Sequence, residues 1–137
     1  MCVEYFLDTN ILVYAAAGRA KERAKRKKAL TLIEDLEFGL SVQVLQEFYV
    51  TVTRKIEIPL SPHQALEWVE QFETFQCVPI ETSLVKIAAE ISERFKISYW
   101  DGAIVAAAEL LGAHTLYSED LNHEQKYGPV QVIDPFR

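Results

Sequence analysis

The sequence predicts an α/β fold, with a parallel sheet and helices on both faces, forming a single domain over residues 1–137. Three observations lead there. Short apolar strand candidates alternate with segments of helical period, the pattern of a parallel sheet with helical crossovers. The run Ala106-Ala107-Ala108 suits a helix pressed close against that sheet. The chain is long enough for one real core, and no repeat, low-complexity tract or linker divides it.

The strand candidates are Glu4–Leu7, Gly39–Val42, Val78–Ile80, Thr115–Ser118 and Val130–Ile133. Each is short, apolar and bounded by turn or helix signals. Asp8 ends the first strand, and a new apolar element starts at Thr9 or Asn10. Glu22–Leu36 places Ala29, Leu32, Ile33 and Leu36 on one helical face. Gln43–Lys55 does the same with Val44, Leu45, Phe48 and Val52. Ser61-Pro62 reads as an N-cap followed by proline at the first helical position, opening a helix to about Phe75. Ile56–Leu60 holds no strand, so the helices on either side should form a hairpin. Ser83–Phe95 carries Leu84, Ile87, Ala88 and Ile91 at helical spacing. Tyr99–Leu111 follows, and Gly112 supplies its stop.

Composition narrows the function classes. Half the residues are hydrophobic and a quarter charged, a globular rather than a disordered balance. No apolar run approaches the roughly 18 residues of a membrane span. Glu4 and Asp8 interrupt any signal-like stretch, so a cytoplasmic location is expected. Cys2 and Cys77 are too few for a disulfide scaffold or a zinc site and read as two reduced thiols. The net charge of −6 does not suggest general nucleic-acid affinity. The bases are unevenly spread, however: Arg19 to Lys28 holds seven of the 14.

Four acids stand out by position. Asp8 lies at the carboxyl end of the first strand, the edge where open α/β sheets bind ligands; alone it reads equally well as a helix N-cap. Glu47 falls at the border of its helix's apolar face, and by itself reads as a surface acid. Asp101 sits in the first turn of the alanine-rich helix, where the helix dipole also favours an acid. Asp120 follows the fourth strand and could cap the next turn. Glu119 beside it reads as solvent-facing.

The combination says more than its parts. Carboxylates brought together repel, and without a cation some must protonate. Mg²⁺ or Mn²⁺ removes that penalty and takes oxygen ligands, often keeping several waters. Such an ion lowers the pKa of bound water and stabilises a charged phosphoryl transition state. This chemistry needs no histidine. His63 and His114 have no ligand-like spacing, and His123, although near Asp120, reads as a surface residue.

Phe6-Leu7-Asp8-Thr9-Asn10-Ile11-Leu12-Val13-Tyr14-Ala15, then Tyr99-Trp100-Asp101, then Leu116-Tyr117-Ser118-Glu119-Asp120-Leu121-Asn122 resemble the PIN-domain nucleases. The branch they look most like is the VapC-like ribonuclease toxins of toxin–antitoxin pairs, and the terminal Ile133-Asp134-Pro135-Phe136 fits that branch too. The resemblance spans nearly the whole chain. It implies a parallel sheet of about five strands between helices. It implies an acidic quartet of Asp8, Glu47, Asp101 and Asp120, with Asp8 and Asp101 as direct ligands of Mg²⁺ or Mn²⁺. Thr9, Asn10 and Ser118 match positions that orient carboxylates or water. The activity implied is metal-dependent hydrolysis of RNA phosphodiester bonds. A small antitoxin protein and a second copy of the chain are the implied partners.

Lys25, Arg26 and Lys28 are the sequence's candidates for RNA phosphate contacts, against a plain solvated helix face. Tyr49, Trp68 and Phe72 are candidate exposed aromatics for self-association. Three other functions stay open: a solitary PIN-domain nuclease of RNA processing, a non-catalytic binding module with the same fold, and a metal-dependent phosphatase. Against the phosphatase, Asn10 stands where a second Asp would be needed, and no phosphate-cradling glycine-rich loop is present.

Overall fold

A computed structural model describes residues 3–137. The strands are β1 (Tyr5–Leu7), β2 (Phe38–Ser41), β3 (Gln76–Val78), β4 (Thr115–Tyr117), β5 (Lys126–Tyr127) and β6 (Val130–Ile133). The helices are α1 (Thr9–Ala17), α2 (Arg23–Asp35), α3 (Val42–Val50), α4 (Pro62–Phe72), α5 (Thr82–Phe95) and α6 (Tyr99–Leu110). A 3₁₀ turn at Ala20–Glu22 leads into α2, and a π-helical turn at Thr51–Lys55 prolongs α3.

One sheet runs in the order β3-β2-β1-β4-β6-β5. All pairings are parallel except the β5–β6 hairpin. The sheet has six strands, one more than expected. The extra one, β5, is two residues long and turns back through Gly128 at φ +63°, too short to leave a periodic signal. Strand β3 begins and ends two residues earlier than expected, stopping before Pro79, which has no N–H to give the ladder.

From β1 the chain steps outward to β2 and β3, then returns across β1 to β4. With right-handed crossovers, the two excursions put their helices on opposite faces. The order reverses between β1 and β4, so a crevice opens at their carboxyl ends.

The helices form for reasons visible in the chain. Ser61 accepts the Gln64 N–H, and Gln64 returns a bond to the Ser61 N–H, a complete capping box ahead of Pro62. The expected helical hairpin is present, with Phe48 and Phe72 edge to face at 5.3 Å across α3 and α4. Phe72 is therefore 2% exposed and unavailable for self-association, while Trp68 and Tyr49 are half-buried. Ala106, Ala107 and Ala108 are fully buried where α6 lies on the sheet. Gly102 lets α6 approach α5, since a Cβ there would come within 2.6 Å of the Ala88 carbonyl. Gly112 ends this stretch at φ +77°.

Cys77 is a half-buried free thiol in β3 whose pKa burial pushes up; Cys2 lies outside the described residues. No helix among the described residues is long and apolar enough to cross a membrane.

Candidate active site

The crevice at the β1–β4 switch point is built from three consecutive residues of one segment and the acids they hold. Asp8 follows β1 and continues the ladder, its N–H donating to the Tyr117 carbonyl at 3.0 Å. It is also the N-cap of α1, with Oδ1 accepting the Thr9 N–H at 2.7 Å. The cap and site readings of Asp8 are thus compatible. Its second oxygen, Oδ2, accepts the Ser118 hydroxyl at 2.8 Å. Ser118 is fully buried at the end of β4, and its Oγ in turn accepts the Asp120 N–H at 3.1 Å.

Thr9 and Asn10 point outward from the start of α1. The Thr9 hydroxyl donates to Glu47 Oε1 at 2.7 Å, tying α1 to α3. The Asn10 amide donates to Asp120 Oδ2 at 3.1 Å. Glu47 is half-buried, as its border position on the helix implies. Asp101 is held by its own helix terminus, its N–H donating to the Ser98 hydroxyl at 3.0 Å.

Electrostatics link the four acids. Burial, chiefly, raises the Asp8 carboxyl to about 7. The hydrogen bonds from Ser118 and Thr9 oppose that rise, and the charges of Asp120 and Glu47 add to it. The Asp101 carboxyl is also raised, first by burial, against the Ser98 bond, and then by Asp120 and Glu47. Glu47 and Asp120 therefore act on both. Among the described residues, no three His, Cys, Asp or Glu side chains converge on one point as ligands of a single ion. The quartet shares an edge and a field rather than a closed coordination cage.

The donor set suits a hard divalent cation. Every group is an oxygen ligand, and the mutual repulsion is the kind that such a cation relieves. With fewer than three carboxylates at any one point, an ion here would keep much of its water, as Mg²⁺ commonly does.

A cleft of about 780 Å³ opens from this edge. Thr9, Asn10, Glu47 and Asp120 line it. Arg19, Glu22, Lys55 and Glu57 line it too, with Val13, Ala17, Val50 and Ile56 as apolar wall. Arg19 donates to Glu57 at 2.9 Å.

Residues the sequence left out matter here. Gln43 is 7% exposed, and its amide donates to Glu47 Oε2 at 3.3 Å and to the Trp100 carbonyl at 3.2 Å. It joins α3 to α6 and so relates Glu47 to Asp101. Its spacing of four from Glu47 on one helix was the available signal. Glu119 is not solvent-facing: it accepts from the Tyr14 hydroxyl at 2.6 Å and pairs with Lys25. Lys25 also lies 4.9 Å from the Tyr14 ring and 5.5 Å from that of Phe136. Of the sequence's three basic candidates, Lys25 is thus engaged within the protein, Arg26 lies beside a smaller hollow with Trp68 and Gln64, and Lys28 is exposed on α2. His123 accepts the Asp134 N–H at 3.0 Å, anchoring the C-terminal segment. His63 and His114 are exposed.

The PIN domain family model matches residues 5–129. No curated protein matches the chain. Among solved structures, a toxin–antitoxin complex from Klebsiella pneumoniae aligns with a TM-score of 0.72 at 19% identity, covering 96% of this chain and 98% of that one. The sarcin–ricin-loop-cleaving toxin VapC20 of Mycobacterium tuberculosis aligns with a TM-score of 0.67 at 19% identity, over 85% and 90%. VapBC2 from Rickettsia felis, bound to a fragment of its promoter DNA, aligns at 0.63 and 18%, over 93% and 96%. These likenesses are of fold. Taken with the family match over most of its length, they leave one conclusion: the chain belongs to the PIN-domain family.

Proposed function

We propose that the chain is a Mg²⁺- or Mn²⁺-dependent endoribonuclease, the toxin of a toxin–antitoxin pair. The observation that carries this reading is the wiring of the quartet: Thr9, Asn10 and Ser118 each hold a different acid at the switch-point crevice. A fold scaffold has no need of four carboxylates on one edge, two of them raised by burial and by the charges of the other two. The toxin assignment is further supported by solved toxins and toxin–antitoxin complexes of the same fold.

In this reading Asp8 and Asp101 would hold the ion, with Glu47 and Asp120 on the same edge. A bound divalent cation supplies Lewis acidity toward a phosphoryl oxygen and a lowered pKa for water. The chain's own residues do the positioning. Ser118 and the Thr9 N–H fix both oxygens of Asp8, so its orientation does not depend on the ion. Thr9 and Gln43 fix Glu47 from two sides. Asn10 holds one oxygen of the exposed Asp120, whose outward position suits it to accept a hydrogen bond from the attacking water. No side chain forms a covalent bond to phosphorus.

Lys25, Arg26 and Lys28 remain part of the proposal as a basic approach for RNA, with Lys28 the most available of the three. A small antitoxin encoded nearby, which would cover the site, and a homodimer complete it. The substrate also implies a cytoplasmic protein.

Asp8→Asn should abolish Mg²⁺-dependent cleavage of RNA with an unchanged circular dichroism spectrum. Undiminished cleavage by this variant overturns the assignment, and a phosphomonoester assayed alongside separates a phosphatase. Growth arrest on expression, relieved by co-expressing the neighbouring small reading frame, tests the toxin role.

A further inference from the structure

Trp100 is the only aromatic among the large apolar side chains left exposed within the described residues, at 64%. A single exposed apolar residue is ordinary, but this one has a particular address. It precedes Asp101 in the first turn of α6, and its carbonyl accepts from the Gln43 amide that also holds Glu47. The Trp100 backbone is thereby tied to two of the four acids. Tyr99 stands against its ring at 5.0 Å and 84°, and is itself packed on the core. The other tryptophan, Trp68, is half-buried, 5.6 Å from Phe72.

The position relative to the cleft matters as well. Thr9, Asn10, Glu47 and Asp120 line the cleft, whereas Trp100 and Asp101 do not. The exposed indole therefore lies outside the cleft, on the residue next to Asp101. Proteins that take up single-stranded nucleic acid place aromatic side chains where unpaired bases stack.

Resting on the ribonuclease reading, we propose that Trp100 is a stacking platform for one unpaired base of the bound RNA, next to the acidic edge. Tyr99 positions the indole, and the Gln43 bridge keeps it in register with the acids.

The test uses the full chain carrying Trp68→Phe, which leaves Trp100 as the sole tryptophan, together with Asp8→Asn to prevent turnover. Titrating a labelled, unstructured RNA oligonucleotide should quench Trp100 emission in step with binding read by polarisation. The same sequence as a blunt duplex should do so far more weakly. In the cleavage-competent chain, Trp100→Ala should raise KM by roughly tenfold to a hundredfold, and Trp100→Phe should recover most of that loss. Binding without quenching, or an unchanged KM in Trp100→Ala, overturns the stacking role and leaves the nuclease intact. Emission that shifts with protein concentration alone assigns the indole to a contact between copies and also overturns it. Failure of the parent chain to bind or cleave any RNA removes the ribonuclease reading and this inference together.

Discussion

Asp8 is where burial and charge conflict most sharply. An unfolded Asp titrates near 3.9, and the folded one near 7. Between those values the folded state holds more protons than the unfolded one, so stability falls as pH rises from about 4 to about 7. Each unit is worth about 1.4 kcal/mol, so the ionised form costs the metal-free fold on the order of a few kcal/mol. In chelator, Asp8→Asn should therefore raise the melting temperature at pH 8 and change it little near pH 4. A pH-independent effect would contradict this account of the site. Ser118 works in the opposite direction. Ser118→Ala removes the donor to Asp8 Oδ2 and the acceptor for the Asp120 N–H, and should cost about 1–3 kcal/mol in denaturant unfolding. Asp8, Asp101 and Asp120 were legible as strand-end or helix-start acids. The partners of Glu119 and the role of Gln43 were not, because both depend on residues brought in from distant elements.

Two elements set the site's shape. Gly102 lets α6 press on α5 immediately after Asp101, leaving no room for a methyl against the Ala88 carbonyl. Gly102→Ala should destabilise by about 1–3 kcal/mol and lower cleavage by displacing Asp101; unfolding curves and cleavage rates measured together check both. The π-helical turn at Thr51–Lys55 is the other. Such turns recur at functional sites, and this one lines the cleft with Thr51 and Lys55, as Glu47 does. Lys55→Glu should weaken RNA binding and reduce its salt slope by about one ion, as expected for a phosphate contact. Lys25→Ala should also act through the loop that carries Glu119 and Asp120, since Lys25 pairs with Glu119. Apolar periodicity located the Gln43–Lys55 helix, but periodicity cannot distinguish a π turn from an α turn, since both keep the apolar face inward. Strand β5 was invisible for a simpler reason, having only two residues to show a pattern.

At the scale of the whole molecule, the sheet order explains why residues more than a hundred positions apart form one site. The reversal between β1 and β4 puts Asp8 beside Ser118 and Asp120, and crossovers on opposite faces bring Glu47 and Asp101 to the same edge. The alternation of elements was readable from the chain, and so was the assignment of acids to strand ends. The strand order was not, because no local pattern encodes which strands become neighbours. The proposed metal-dependent ribonuclease activity of this edge is best probed by following RNA cleavage against Mg²⁺ concentration for the parent chain and Asp101→Asn side by side. Cleavage by the parent should rise with Mg²⁺ and vanish in chelator, and the variant should be folded but inactive at every concentration. Equal cleavage by both proteins, or cleavage undiminished in chelator, would contradict the proposal.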